Sequence, residues 1–201
     1  MIRYVKENAF EHIGDHDVML VGTNLYASMA NGFQLDVSLN YPYVFNTNVK
    51  SKYGDRNKLG TILECKEEGK PTFVLCFITI GYNFRPDLEK DYLQYEALKK
   101  CLELVNIAYK GLNVGTTLLG ASRFDGFGDR DRIMAILNET LTDVECTVYD
   151  YPQLSRKEKV KATYDLEKKI KAVDREAYYK LVKERKKKAE ERFAANGRRR
   201  Y

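Results

Sequence analysis

Two short stretches hold the residues whose types and spacing bear on chemistry. "TNLYASMANGF", residues 23–33, sets Asn24, Asn31 and Gly32 among small side chains, and "ASRFDGFGD", residues 121–129, sets Asp125 among glycines. Small side chains let an anion come close to main-chain N–H groups, which is how loops bind phosphate. Glycine is also the ordinary residue of a tight connection, so composition alone leaves both readings open. Neither GxxxxGK[ST] nor GxGxxG occurs, which excludes a Walker loop and a dinucleotide fingerprint. Asp125, Asp129 and Asp131 stand together, but the DxDxDG…E order of a calcium loop is missing, so no metal site is expected. The two histidines, His12 and His16, precede the strand that leads into the first stretch and are expected at the surface. Cys65, Cys76, Cys101 and Cys146 form no CxxC pair and have no histidine nearby, and they read as buried free thiols. No cofactor is implied.

The elements that must position these residues emerge from hydrophobic periodicity. "IRYVKE" (2–7) and "DVMLVGT" (17–23) read as strands, the second apolar on both faces and therefore central. "LGTILECKE" (59–67) and "TFVLCFITI" (72–80) read as a strand pair joined across "EGKP". Between Pro86 and Leu112, apolar residues recur at spacings of three and four, the mark of an amphipathic helix. "VGTTLLG" (114–120) reads as a buried strand, "RDRIMAILNETL" (130–141) as a helix and "VECTVYDY" (144–151) as a last strand. Strands and helices in alternation imply an α/β fold around a largely parallel sheet. Phe33, Leu35, Val37 and Leu39 alternate like a strand and also pair at i, i+4, so local pattern does not decide between strand and helix there.

At 201 residues the chain is long enough for one core of about 150 residues and an appendage. No run approaches the roughly 20 apolar residues that cross a bilayer, and "MIRYVKENAF" has no apolar stretch of the signal-peptide kind, so a cytoplasmic location is the default. Net charge is +5, unevenly spread: from Tyr151 onward there are 18 Lys and Arg against 8 Asp and Glu, leaving 16 against 21 in residues 1–150. An acidic body, 1–151, is followed by a basic extension, 152–201.

Taken in order, "RYVKENAF", "NLYASMANGFQLDVSLNYP", "YGDRNKLGTIL", "TFVLCFITIGYNF", "YLQYEALKKCLELV" and "CTVYDY" resemble the macro domain, an ADP-ribose-binding family. Within it they resemble the branch of the ADP-ribose-1''-phosphate phosphatases and terminal ADP-ribose glycohydrolases. The resemblance covers about residues 2–151. It implies a three-layer fold with a mixed, largely parallel central sheet, a helix at about 32–40, and recognition of ADP-ribose or ADP-ribose-1''-phosphate. Hydrolysis of the phosphate or of an ADP-ribosyl ester is a further implied activity. It places Asn8 near the adenine, Asn24 at the distal ribose, and Asn31, Gly32 and Phe33 along the pyrophosphate or ribose. It wraps Ser122, Arg123, Phe124, Asp125 and Gly126 around the diphosphate and sets Tyr149 or Tyr151 against the adenine face. Asn24 as a turn former and Tyr149 as core are the alternatives that the residues themselves allow.

The pattern departs at two catalytic positions. Ile80 and Gly81 stand where the glycohydrolase branch has its lysine, and "MLVGTN" lacks the histidine of the phosphatase branch. Asp125 is then the carboxylate left in the right loop, as a general base on a water, a ligand of ribose hydroxyls, or a cap of the helix near Asp129.

Leu154 to Phe193 reads as one long basic helix with a narrow apolar stripe, able to pack on the body or on a second copy. Its end is read as a solvated, fraying terminus or, alternatively, as a nucleic-acid contact through Lys186, Lys187, Lys188, Arg198, Arg199 and Arg200. In that second reading the protein is a non-enzymatic nucleic-acid-associated protein with a degenerate body. No membrane partner is implied.

Overall fold

The computed structural model describes residues 1–29, 32–81, 93–122, 126–150 and 187. The chain divides into two units, Met1–Ser155 and Arg156–Tyr201, and the six strands and four α-helices of the described residues belong to the first. The expected long helix, residues 154–193, lies outside the described residues save for Lys187.

Six strands, β1 (Ile2–Val5), β2 (Val18–Asn24), β3 (Ile62–Cys65), β4 (Thr72–Thr79), β5 (Asn113–Thr117) and β6 (Glu145–Tyr149), form one sheet in the order β1-β6-β5-β2-β4-β3. Every neighbouring pair is parallel except β3 with β4, the hairpin expected across "EGKP". A sheet covered on both faces needs strands that are apolar on both sides. β2 meets this condition, being buried at all seven positions.

Helices cover the two faces. Leu20, Val74, Cys76 and Ile78 pack with Leu98, Cys101, Leu102 and Val105 of α3 (Tyr95–Ala108) and with Ile133 and Leu137 of α4 (Arg130–Thr140). On the other face Met19, Val21, Phe73 and Leu75 meet Phe33 and Val37 of α1 (Gly32–Asn40), Val44 of α2 (Pro42–Lys50), and Ala9 and Ile13 of a 3-10 turn, Ala9–Asp15. The result is the expected α/β architecture of three layers. All four cysteines are buried and free, as their spacing implied. No helix among the described residues is long and apolar enough to cross a membrane.

Three details go beyond local sequence pattern. α1 is a helix, as the resemblance implied, because Phe33 and Val37, four apart, are the pair that meets the core, while Leu39 stays exposed. Pro42 does not merely end α1: it opens α2, where its missing N–H is harmless. β5 stops at Thr117 rather than running to Gly120; Gly120 takes a left-handed φ of 77°, closing a turn in which Ala121 N–H donates to Leu118 O at 3.0 Å.

Gly115 in β5 marks the tightest approach across the sheet face. A Cβ there would lie 2.2 Å from Met19 Sδ and 2.5 Å from His16 Cδ2. Overfilling a packed site destabilises by about 1–3 kcal/mol, and Gly115→Ala is expected to lose that much in urea unfolding. Gly14→Ala, with nothing within 4 Å of the new atom, is expected to stay within about 0.5 kcal/mol of the parent protein.

Candidate functional site

The sheet order contains a switch point. β2 leads through α1 and α2 to β3 and β4 on one side, whereas β5 leads through α4 to β6 on the other. Where neighbouring parallel strands send their crossovers in opposite directions, a crevice opens beyond their carboxyl ends. Here the two strands pair only through Val18 with Val114 and Met19 with Gly115, and then part. Further along, Gly22 keeps the sheet face low: an added Cβ would stand 2.9 Å from Ile78 Cδ1 and 3.6 Å from Leu119 Cδ2. The segment after β5 therefore lies against β2, and the loops that leave the two strands share one edge of the sheet.

The loop after β2 is organised by Asn24. Its side chain, 5% exposed, accepts from the N–H groups of Tyr26 (3.0 Å) and Ser28 (3.2 Å) at Oδ1 and donates through Nδ2 to Ser28 O (2.9 Å). Ala27 between them has a left-handed φ of 54°, a conformation in which a larger side chain is strained. Leu25 O accepts from Gly54 N–H at 3.0 Å and from Lys58 Nζ at 3.1 Å.

The loop after β5 closes through carbonyls instead. Gly126 and Phe127 N–H both donate to Ser122 O, at 3.1 and 3.2 Å, and Gly128 N–H donates to Gly120 O at 2.9 Å. Leu93 N–H donates to Gly126 O at 2.9 Å. Phe127 is the other non-glycine residue with positive φ among the described residues, at 51°, and its ring is 60% exposed. It borders an open depression of about 450 Å³ with Ala121, Gly128, Asp129, Arg130 and Asp131. Asp129 caps α4 by accepting from Arg132 N–H at 2.8 Å, while its own N–H donates to the hydroxyl of Tyr95 at 2.7 Å. The guanidinium of Arg132 lies 3.8 Å from the centre of that tyrosine ring.

No protein-family model matches the sequence, and no curated protein matches it either. Solved structures do. The macrodomain of Thermus aquaticus DarG, 18% identical, superposes with a TM-score of 0.58 over 75% of this chain and 98% of its own. The chain has the macrodomain fold. A protein of unknown function from Bacteroides thetaiotaomicron, 23% identical, gives a TM-score of 0.61 over 75% of this chain and 98% of that one. Thermosipho africanus DarTG, in complex with ADP-ribose and 14% identical, gives 0.60 over 75% of this chain and 41% of its own.

The sequence-derived residues divide into three groups. Asn24 ends β2, Gly32 begins α1, and Ser122 and Gly126 lie on the loop after β5, all at the switch point. Asn31, Arg123, Phe124 and Asp125 belong to the loops after β2 and β5 but lie outside the described residues, as do Tyr151, Lys186, Lys188, Arg198, Arg199 and Arg200. Lys187 is described and exposed. Asn8, Phe33 and Tyr149 form the third group, each engaged in packing or capping. Asn8 caps the 3-10 turn, accepting from Phe10 N–H at 3.2 Å and donating to Glu11 Oε1 at 3.2 Å. Phe33 is core, 5% exposed.

Tyr149, also 5% exposed, is stacked on His12 with ring centres 5.3 Å apart and bonded to His16 Nε2 at 2.7 Å. This is packing of the core kind, and Asn24 makes the hydrogen bonds of a turn former. The histidines differ from expectation: both are partly buried, and His16 bridges Tyr149 and Asn113, the latter at 2.9 Å from Nδ1. Gly115, which leaves room for the His16 ring, was the available sequence signal. Sequence reasoning also passed over Lys58, whose amine supports Leu25.

Asn24→Ala removes one acceptor and one donor from a turn that is closed on both sides, and buried groups left unpaired cost about 1–3 kcal/mol. The expected result is a loss of that size in denaturant unfolding. Asn24→Asp should recover only part of it, because it keeps the acceptor for Tyr26 and Ser28 N–H but sets a second carboxylate oxygen against Ser28 O.

Proposed function

We propose that the protein recognises ADP-ribose or ADP-ribose-1''-phosphate in the crevice beyond β2 and β5. The observation that carries this reading is the parting of these two strands after Met19 and Gly115, with a small-residue loop at each carboxyl end. The ADP-ribose complex of the structurally similar Thermosipho africanus DarTG points to the same ligand. In this reading Asn31, Gly32, Ser122, Arg123 and Phe124 line the diphosphate and ribose. Asn24 shapes the first loop from behind, Phe127 offers an exposed apolar face at the rim, and Asn8 stands toward the adenine.

The reading extends to hydrolysis of the 1''-phosphate or of an ADP-ribosyl ester, of the kind carried out by the phosphatase and glycohydrolase branch that the sequence resembles. Asp125 is the base proposed to take a proton from the attacking water, which needs direct hydrogen-bond reach. Calorimetry with ADP-ribose tests recognition: heat with a Kd on the order of micromolar is expected, and silence at millimolar ligand would sink the reading. Asp125→Ala is then expected to leave Kd within about threefold while abolishing turnover, the mark of a group acting only in the transition state.

The extension 152–201, with its excess of 10 positive charges from Tyr151 onward, is proposed to contact nucleic-acid phosphates through Lys186, Lys187, Lys188, Arg198, Arg199 and Arg200. Trimming the chain after Leu181 should weaken filter binding of nucleic acid and flatten its salt dependence. Retention that does not change between low and moderate salt in the full chain would rule this out.

A further inference from the structure

A polar cluster lies behind the loop after β2, on the α2 side of the sheet and outside the crevice itself. Its centre is Lys58, the last residue of a 3-10 turn, Arg56–Lys58. The half-buried ammonium donates to Leu25 O at 3.1 Å and to Ser51 Oγ at 2.9 Å, and stands 4.4 Å from the centre of the Phe77 ring. Ser51 Oγ donates onward to Asn48 O at 2.6 Å. Asn48, fully buried, donates to Thr23 Oγ1 at 3.3 Å, and its Oδ1 has no hydrogen-bond partner.

The hydrogen bonding of the Leu25 carbonyl does not require this lysine. Leu25 O already has a donor in Gly54 N–H, so an apolar side chain at position 58 would leave that carbonyl satisfied. Taking an ammonium partly out of water is unfavourable unless opposite charge compensates it. Here desolvation pushes the Lys58 amine below the usual lysine range, with Asp55 opposing that shift. The orphaned Asn48 oxygen in the same cluster is a second sign of a polar arrangement not built for stability alone. Both stand at the carboxyl end of β2, directly behind the first residue of the crevice loop.

We propose that Lys58 is a specificity-determining residue of the crevice: from behind Leu25 its positive charge favours a diphosphate-bearing guest over an uncharged nucleoside, without touching the guest. This rests on the ADP-ribose reading. An anionic guest raises the affinity of Lys58 for its proton, so the contribution is fully present below the pKa of the free protein and is lost as pH rises from there through the higher pKa of the complex. The charged groups nearby are Asp55 and Lys52, which lies 4.0 Å from the Asp55 carboxylate; Thr23, Asn48, Ser51 and Phe77 do not titrate.

The test is to titrate the parent protein, Lys58→Met and Lys58→Arg with ADP-ribose and with adenosine. Lys58→Met is expected to weaken ADP-ribose roughly tenfold, the size of one charge pair screened by protein and water, and to leave adenosine unchanged. Lys58→Arg should restore ADP-ribose affinity and hold it level at alkaline pH, where that of the parent protein declines. Equal losses for both ligands would reveal a merely structural role, and no loss for either would also overturn the proposal. If the parent protein binds no ADP-ribose, the functional reading fails and this inference with it. If it binds but Lys58→Met binds equally well, only this inference fails. Should Lys58→Met not fold, the pH profiles of the parent protein and Lys58→Arg decide: parallel declines overturn the proposal.

Discussion

Backbone groups at the end of a strand must find partners once the ladder stops. In this chain that requirement is concentrated at the end of β2, where β5 leaves it after Gly115. The loops beyond both strands are largely an answer to it. Asn24 turns its whole amide onto Tyr26 and Ser28, Gly54 N–H meets Leu25 O, and Ser122 O and Gly120 O collect three N–H groups of the second loop. The small residues of both stretches therefore have a structural use first: they let the chain fold back on itself tightly enough for these bonds to form.

The two loops reach closure by different means. One uses a side chain, the other carbonyl oxygens, yet each contains a non-glycine residue in the left-handed region, Ala27 and Phe127. Such conformations cost of order 1 kcal/mol and persist where surrounding bonds over-determine them, commonly at binding sites. Ala27 minimises the side-chain part of that cost. Phe127 does not, and its ring remains exposed beside the start of α4, which is the feature a ligand contact would explain.

Away from the crevice, β5, β6 and the turn after β1 are tied together by a partly buried corner. Asn113 donates to Asp15 O at 2.8 Å, which turns its Oδ1 toward His16 Nδ1, so that nitrogen carries a hydrogen, and Nε2 meets the hydroxyl of Tyr149 at 2.7 Å. His12, between the carboxylates of Glu7 and Asp15, covers the other side of the tyrosine. Burial, reinforced by Asp15 and Glu7, raises the pKa of Tyr149 above the usual tyrosine value. The corner fixes the turn that carries Asn8, and so joins the packing of the sheet to the outer end of the proposed site.

The sequence by itself determined the strands, the amphipathic character of α3 and α4, the central place of β2 and the burial of the cysteines, because periodicity and apolar runs are local properties that the sheet and helices share. It also pointed to the two loops, since glycine, asparagine and alanine clusters are legible without coordinates. Only the tertiary structure decided that Phe33 and Val37 are the face of α1 that meets the core, that Pro42 starts α2, that β5 ends at Thr117, and that His16 reaches over Gly115 to Tyr149. It alone brought Lys58 behind Leu25, 33 residues away in the chain. Those outcomes depend on which distant group arrives to fill a space or accept a hydrogen bond, and no local pattern records that.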